Sequence, residues 1–360
     1  MAPRSYRTGL LLAVLPLCGN GWAAPGGVVV DIAPGRQSLT ASDDVTVVVT
    51  IRNTDTATRY VPAWQTPFAG VQAPLFDVSR DGLPAGYLGI LAKRGPPARA
   101  DFIALPPGTA RSSRVELSAL YRMDVTGAYS VRYRAGRLQV YARPDAARPL
   151  GTATVTPSAA AVWIDGRQPR GLPDAAYAPA AAPDAPVPAG SLTFSHCSNT
   201  QQEGIAAAVR AGRTMAADAA AYMQGNVLAD RYTAWFGAPD AVRARTVAAH
   251  FGAIRAAFAD QPLTVDCACT RPWYAYVYPN QPYTIHVCKA FWTARPTGTD
   301  SKAGTLVHEL SHFTVVAGTD DWAYGQDAAA ALAAGDPARA VDNADSHEYF
   351  GENDPRRALR

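Results

Sequence analysis

Two histidines four residues apart constrain the fold of this chain more than any other feature. His308 and His312 are separated by Glu309 and two further residues, in the pattern H-E-x-x-H. On an α-helix, residues four apart lie on one face, so both imidazoles can point at one metal ion while Glu309 flanks its open side. The pattern therefore predicts a helix that carries part of a zinc site, with the geometry of a zinc hydrolase.

The third ligand has to come from another segment, because catalytic zinc normally has three protein ligands and a water. A third histidine six positions after His312 would complete one known pattern, but Gly318 occupies that position. Gly318 instead predicts the end of the helix, after which the chain can fold back on the metal. Asp321 is then the candidate third ligand, and Glu348 is the alternative.

The residues after the helix resemble a known family. The pattern H-E-x-x-H followed by G-T-x-D-x-x-Y-G is similar to the motif pair of the aspzincins, the deuterolysin-type (M35) zinc endopeptidases. The resemblance implies that His308, His312 and Asp321 bind one zinc ion. It also implies that Glu309 is the general base and that Tyr324 hydrogen-bonds the oxyanion of the transition state.

Three phrases of the second half resemble the peptidyl-Lys branch of that family: R-Y-T-A-W-F-G from Arg231, A-Y-V-Y-P-N from Ala275, and residues 344–350. The resemblance implies that Asp345 and Glu348 line the pocket for the side chain that follows the cleaved bond. Two carboxylates in a confined pocket gain most from a substrate cation, and a compact ammonium fits where a planar guanidinium is too wide. We therefore expect protein or peptide substrates cut before lysine, with tolerance of arginine as the near alternative.

The start of the chain predicts export. Residues 1–24 combine Arg4 and Arg7 with an apolar run and small residues at the end, as in a secretory signal peptide. The apolar run is too short to span a bilayer, so we expect a secreted protein, periplasmic or extracellular, without stable membrane association. Cys18 leaves a lipoprotein signal as an alternative, although Leu17 is bulky where a small residue is needed.

Removal of that signal leaves four cysteines, and an even number in an exported chain favours two disulfides. Four cysteines allow three pairings. The family pattern implies the pairs Cys197–Cys267 and Cys269–Cys288. A zinc site formed by Cys267, Cys269, His286 and Cys288 is the competing interpretation, which an oxidising compartment disfavours.

The remaining length is enough for two domains. In residues 25–164, short β-branched runs such as Asp44–Arg52 predict an antiparallel β-sandwich of immunoglobulin-like type. This region has no histidine and no cysteine, so we expect no catalytic constellation there. Residues 165–191 are rich in proline and alanine and predict an exposed linker. Residues 192–360 predict a mostly helical α+β domain that contains the metal helix.

The charge distribution gives no reason to expect a nucleic-acid partner, because the net charge is only +3 and no run of like charges occurs. We expect a monomer. Two interpretations from different classes remain: a zinc endopeptidase made as a precursor, or a secreted binding module with a structural or relict zinc site. Glu309 and Tyr324 favour the enzyme, because a structural site needs neither a base nor an oxyanion donor.

Lysine is scarce, and its positions matter for maturation. The chain has three lysines, Lys93, Lys289 and Lys302, and none of them lies in the predicted linker. A strictly lysine-directed enzyme could not cut that linker itself. We therefore expect the sandwich to be a propeptide or an accessory domain, released by another protease near Arg167 or Arg170.

Overall fold

A computed structural model describes residues 27–40, 43–146, 148–165, 190–225 and 228–355. The predicted signal peptide, residues 1–24, and nearly all of the predicted linker, residues 165–191, lie outside the described residues. Within the described ranges, no helix is both long enough and apolar enough to cross a membrane.

The N-terminal region consists of two β-sheets that share one core. The first sheet contains β1 (Val28–Pro34), β3 (Thr46–Asn53), β9 (Ala110–Glu116) and β13 (Thr154–Val155), in the order β13-β1-β3-β9. The second contains β2 (Ser38–Leu39), β5 (Phe76–Arg80), β6 (Leu83–Pro84), β10 (Gly127–Tyr133) and β14 (Ala160–Ile164), in the order β2-β14-β10-β5-β6. Alternate side chains of β3 and β10 are buried, among them Val49 and Val131 in the common core.

Shorter elements complete this region. They are the pair β4 (Arg59–Pro62) and β8 (Phe102–Leu105), the pair β11 (Gln139–Val140) and β12 (Gly151–Thr152), and the 3₁₀ turns Ala63–Gln65 and Arg99–Asp101. The prediction of a β-rich N-terminal region is confirmed. Its immunoglobulin-like topology stays a prediction.

The C-terminal region is helical with one sheet, which confirms the predicted α+β class. Its helices are α1 (Asn199–Gln224), α2 (Asp230–Phe236), α3 (Ala241–Asp260), α4 (Lys289–Thr293), α5 (Lys302–His312), α6 (Gln326–Gly335), α7 (Pro337–Val341) and α8 (Ala344–Glu352). Its strands are β15 (Leu192–Ser195), β16 (Leu263–Asp266), β17 (Ala275–Val277) and β18 (Thr284–Val287). Disulfides join Cys197 to Cys267 and Cys269 to Cys288, the pairing that the resemblance implied, so these cysteines form no zinc site.

One strand of the N-terminal region joins the C-terminal sheet. The strand β7 (Leu91–Lys93) lies antiparallel to β17, with Lys93 opposite Ala275 and Leu91 opposite Val277. The order of this sheet is β15-β16-β18-β17-β7, so β7 covers the edge that β17 would otherwise expose. The two regions are therefore joined by backbone pairing, which the sequence did not predict.

The metal helix α5 lies at the centre of the C-terminal region. It packs against α1, α3 and α8, and also against β7 and β17. Its first turn is capped by Ser301, whose hydroxyl accepts a hydrogen bond from the Gly304 N–H at 2.9 Å. All its residues from Ala303 to His312 are buried, so both histidines face protein and not solvent.

The helix ends earlier than the sequence predicted. It stops at His312, six residues before Gly318, because Phe313 has an extended backbone (φ −61°, ψ 130°). The Phe313 carbonyl then accepts hydrogen bonds from the N–H groups of Val316, Ala317 and Gly318 at 2.8, 3.1 and 3.0 Å. Gly318 itself has φ +63°, a left-handed conformation that favours glycine. Gly318 thus marks the reversal of the chain and not the end of the helix.

Candidate active site

Three buried ligand atoms converge beside α5. His308 Nε2 lies 3.1 Å from His312 Nε2, and Asp321 Oδ1 lies 3.2 Å from the first nitrogen and 3.5 Å from the second. Zinc bonds of about 2.0–2.1 Å in a tetrahedral arrangement place neighbouring ligand atoms about 3.3 Å apart. The three residues therefore have the donor types and the spacing that a zinc ion requires.

The surroundings of these residues also suit a cation. The His312 Nδ1–H donates to the Thr319 carbonyl at 2.8 Å, and His308 Nδ1 lies 2.9 Å from the Asp345 carboxylate. A proton on each Nδ1 leaves the Nε2 lone pair free to bind metal. Both carboxylate oxygens of Asp321 are buried without a well-oriented hydrogen-bond donor in the described part of the chain. Such a carboxylate would be costly to bury without a bound cation.

The segment that carries Asp321 is fixed from two sides. On the helix side, the hydroxyls of Ser311 and Thr319 lie 2.6 Å apart, and the Thr319 N–H donates to the Ser311 carbonyl at 3.1 Å. On the other side, the N-terminal residue Arg137 donates to the Asp321 carbonyl at 2.7 Å and to the Asp320 carboxylate at 3.3 Å. The N-terminal region thus helps to position a candidate metal ligand.

A peptide bond of the N-terminal region lies between Glu309 and Tyr324. The Lys93 N–H points to Glu309 Oε1 at 3.4 Å, and the Tyr324 hydroxyl donates to the Ala92 carbonyl at 3.0 Å. Burial raises the pKa of Glu309 to about 7, which suits a group that accepts a proton near neutral pH. The Ala92–Lys93 peptide bond therefore lies between the residue predicted as general base and the residue predicted as oxyanion donor.

The side chain of Lys93 fills an acidic pocket and is fully buried. Its Nζ lies 2.5 Å from Glu348 Oε2, 3.1 Å from Asp300 Oδ1 and 3.5 Å from Asp345 Oδ1. The ring centre of Tyr274 is 5.0 Å from the same ammonium. Burial opposes the charged form, but Asp345, Glu348 and Asp300 together hold the pKa of Lys93 well above its ordinary value. The pocket thus binds an ammonium through paired charges.

Glu348 faces Nδ1 of His308, whereas His312 faces Nε2, so Glu348 cannot share a metal ion with both histidines. Its Oε2 is 3.4 Å from His308 Nδ1, whereas His312 and Asp321 face Nε2 on the other edge of the ring. The described residues contain a second group with metal-ligating atoms, His308, Asp345 and Glu348, and the Lys93 ammonium lies against both of its acids. The structure therefore groups Asp321, and not Glu348, with both histidines.

Sequence reasoning missed two residues of this site. Lys93 belongs to a region without any catalytic motif, and Asp300 lies in the loop before α5, outside both motifs. The scarcity of lysine was the one signal for Lys93, whereas no pattern marked Asp300. His347, which the predicted pocket segment contains, donates to the Asn343 carbonyl at 2.9 Å and lies 2.9 Å from His250 Nδ1. His347 therefore pairs with His250 and does not belong to the metal cluster, defined as the candidate ligands His308, His312 and Asp321.

Comparison with known proteins assigns the family. The model of the aspzincin family M35, described as lysine-specific metallo-endopeptidase, matches residues 222–352. An extracellular protease of Aeromonas hydrophila is 43% identical over 353 residues, which cover 96% of this chain and 96% of the relative. The chain belongs to the aspzincin family. This aspzincin is a zinc metalloendopeptidase, as the motif pair predicted.

Two fungal relatives cover different shares of this aspzincin. A peptidyl-Lys metalloendopeptidase of Grifola frondosa is 34% identical over 331 residues, covering 89% of this chain and 91% of the relative. A peptidyl-Lys metalloendopeptidase of Pleurotus ostreatus is 46% identical over 165 residues, which cover 45% of this chain and 98% of the relative. The Pleurotus relative is therefore less than half as long as this chain, and nearly all of it is matched.

Proposed function

We propose that this aspzincin cleaves peptide bonds on the amino side of lysine and is made as an exported precursor. One observation carries the proposal: a lysine of the chain itself, Lys93, fills the acidic pocket while its N-terminal peptide bond lies between Glu309 and Tyr324. The two fungal relatives named as peptidyl-Lys metalloendopeptidases support the same specificity. A substrate lysine would take the position of Lys93 after the N-terminal region has left.

In this proposal, His308, His312 and Asp321 hold one zinc ion. When bound there, zinc lowers the pKa of a coordinated water to about 7 and polarises a carbonyl group. Glu309 accepts the proton of the attacking water. The Tyr324 hydroxyl, which donates to the Ala92 carbonyl in the precursor, donates to the substrate oxygen as negative charge develops on it.

Lysine selectivity follows from the charge of the pocket. Asp345 and Glu348 are fully buried, and a neutral side chain would leave them without the ammonium that neutralises their charge. An ammonium neutralises them and keeps a compact shape, whereas a guanidinium needs a wider planar site. The substrate backbone would pair with the free edge of β17, as β7 does in the precursor.

The N-terminal region acts as a propeptide in this account. Residues 91–93 occupy the positions of a bound substrate, so protein substrates cannot enter while this strand is in place. Two findings support a mature enzyme without the N-terminal region: the family match is confined to residues 222–352, and the Pleurotus relative is matched over 98% of its own length but only 45% of this chain. Because no lysine occurs in residues 165–191, we propose that another protease cuts there, near Arg167 or Arg170.

The test of the function is a map of cleavage sites. Active enzyme released from the purified full-length chain digests a denatured protein, and mass spectrometry locates the new termini. We expect cuts mainly before lysine and one zinc per chain, with no cuts by the Glu309→Ala variant. Cuts mainly before apolar residues would disprove lysine specificity, and full activity without bound metal would disprove the zinc mechanism.

A further inference from the structure

We propose that Asp300 is a third acid of the lysine pocket and determines specificity together with Asp345 and Glu348. The inference rests on the proposed lysine specificity. Asp300 Oδ1 accepts a hydrogen bond from the Lys93 ammonium at 3.1 Å. Its side chain is 22% exposed, while the other two carboxylates are fully buried.

The three acids differ in their other partners, although Asp300 and Asp345 share the Tyr349 hydroxyl, which lies 3.3 Å from Asp345 Oδ2. Asp345 lies 2.9 Å and Glu348 lies 3.4 Å from His308 Nδ1, so both also act on a candidate metal ligand. Asp345 accepts a further hydrogen bond from the Gly325 N–H at 2.7 Å. The contacts described for the Asp300 carboxylate are with Lys93 Nζ and, at 2.8 Å, with the Tyr349 hydroxyl. The Asp300 carboxylate therefore contacts the ammonium directly and contacts none of the three candidate metal ligands in the described part of the chain.

The loop that carries Asp300 is held in an unusual conformation. Asp300 has φ +52°, in the left-handed region that residues other than glycine rarely adopt. Glu352 of α8 fixes the loop by accepting hydrogen bonds from the N–H groups of Asp300 and Ser301 at 3.2 and 2.8 Å. A Cβ on Gly304 would lie 2.1 Å from Glu352 Oε1, so glycine at this position lets Glu352 reach the loop. Strained backbone of this kind concentrates at functional sites.

The number of acids matches the chemistry of lysine. An ammonium has three N–H donors and no acceptor, and here three carboxylates surround it. Removing the charge of Asp300 would leave one ammonium donor with a weaker acceptor. A neutral side chain of similar length, such as methionine, would lose nothing from the same change. Loss of the Asp300 charge should therefore lower kcat/KM for a lysine substrate and leave kcat/KM for a methionine substrate nearly unchanged.

The experiment uses Asp300→Asn in active enzyme released from the full-length chain, with two peptides that differ only in lysine or methionine after the cleaved bond. Asparagine tolerates the left-handed backbone, so the loop should be kept. A charge-assisted hydrogen bond of about 1.5–3 kcal/mol corresponds to a roughly 10–100-fold loss of kcat/KM for lysine. We expect the methionine peptide to change less than about 3-fold and zinc content to stay constant, with partial recovery in Asp300→Glu.

Asp354→Asn is the matched control. Asp354 lies beside the same loop and accepts hydrogen bonds from the Thr299 N–H and hydroxyl at 3.0 and 3.1 Å. The substitution changes the net charge equally but touches no group of the pocket, so the lysine-to-methionine ratio should stay constant. If wild-type enzyme itself does not prefer lysine, the proposed function fails whatever Asp300 does. If wild type prefers lysine and Asp300→Asn leaves that preference intact, or slows both peptides equally, this inference fails alone.

A second measurement does not depend on activity. In the full-length Glu309→Ala chain, Asp300→Asn should lower Tm while Lys93 is present, because a partner of the buried ammonium is lost. When the same chain also carries Lys93→Met, Asp300→Asn should no longer lower Tm. In that background Asp300→Asn removes repulsion among three acids that have no ammonium between them. Equal loss in both backgrounds would show a purely structural role and overturn the proposal.

Discussion

The two regions of this aspzincin contribute to the active site in opposite ways. The C-terminal region supplies the candidate metal ligands, the proposed base and most of the acidic pocket from one stretch, residues 300–348, which contains recognisable motifs. The N-terminal region contains no motif of this kind, yet one of its strands, Leu91–Lys93, passes through the site and fills the pocket. A region without a catalytic motif can thus place one side chain in the pocket, and no local pattern reveals that side chain.

Two residues of the N-terminal region contact the site in different ways. Lys93 mimics a ligand, whereas Arg137 acts as a support, because it donates to the Asp321 carbonyl at 2.7 Å behind the metal cluster. Arg137 is nearly fully buried, and the field of Asp320 holds the pKa of its guanidinium high in spite of the burial. In the proposed account, the N-terminal region both blocks the site through Lys93 and supports one of its loops through Arg137. Variants of each region separate these two roles.

The largest effect is expected from the base of the C-terminal region. Glu309→Ala in the released enzyme should lower kcat by about 10²–10⁴-fold or more, because general base catalysis supplies that much. Zinc content should remain that of wild type, since Glu309 lies beside the metal ligands and not among them. Turnover assays and metal analysis measure both quantities. Substantial turnover by the variant would show that another group takes the proton.

The next effect concerns the third ligand. Asp321→Ala should weaken zinc binding by at least about 10²-fold, because it removes a direct ligand. Glu348→Gln should weaken zinc binding by less, about 10-fold, because Glu348 acts through the outer edge of His308. Competition with a chelator gives both affinities. The opposite order would make Glu348 the third ligand and would contradict the grouping seen in the structure.

A smaller effect is expected from the support that the N-terminal region gives. Arg137→Ala in the full-length Glu309→Ala chain should reduce the free energy of unfolding by about 1.5–3 kcal/mol, because Asp320 loses one of its two guanidinium partners and keeps Arg134. Arg143, which forms an exposed ion pair with Asp145 at 3.5 Å, provides the control. Arg143→Ala should change the free energy of unfolding by less than about 1 kcal/mol. Equal effects in denaturant titrations would mean that Arg137 does not stabilise the loop.

The sequence predicted that His308, His312 and Asp321 lie together, and the structure brings them together because local geometry links them, whereas their binding of zinc stays a prediction. His308 and His312 share a helical face, and Asp321 follows within one chain reversal. The end of the helix was predicted wrongly, since hydrogen bonds to the Phe313 carbonyl close the turn before Gly318. These bonds depend on an extended Phe313, which the apolar pattern does not reveal.

The contacts of Lys93 could not be predicted in the same way. Lys93 and Asp300 are 207 positions apart, and Lys93 and Glu309 are 216 apart, so no periodicity connects them. They meet because β7 pairs with the edge of β17, and edge pairing between distant segments leaves no mark in either sequence. The β-rich class of the N-terminal region was predictable from alternating side chains. Its role in the site required the three-dimensional arrangement.

The central claim is that Lys93 blocks the lysine pocket of the precursor, and the activity of full-length variants on a small lysine-containing peptide tests it most directly. The uncut wild-type chain should be almost inactive. Lys93→Ala should raise its activity about 10–100-fold, because buried acids that lose their cationic partner destabilise the closed state. Lys289→Ala, a change of an exposed lysine, should leave the precursor inactive. Uncut wild-type chain as active as the released enzyme, or no gain in Lys93→Ala, would contradict the claim.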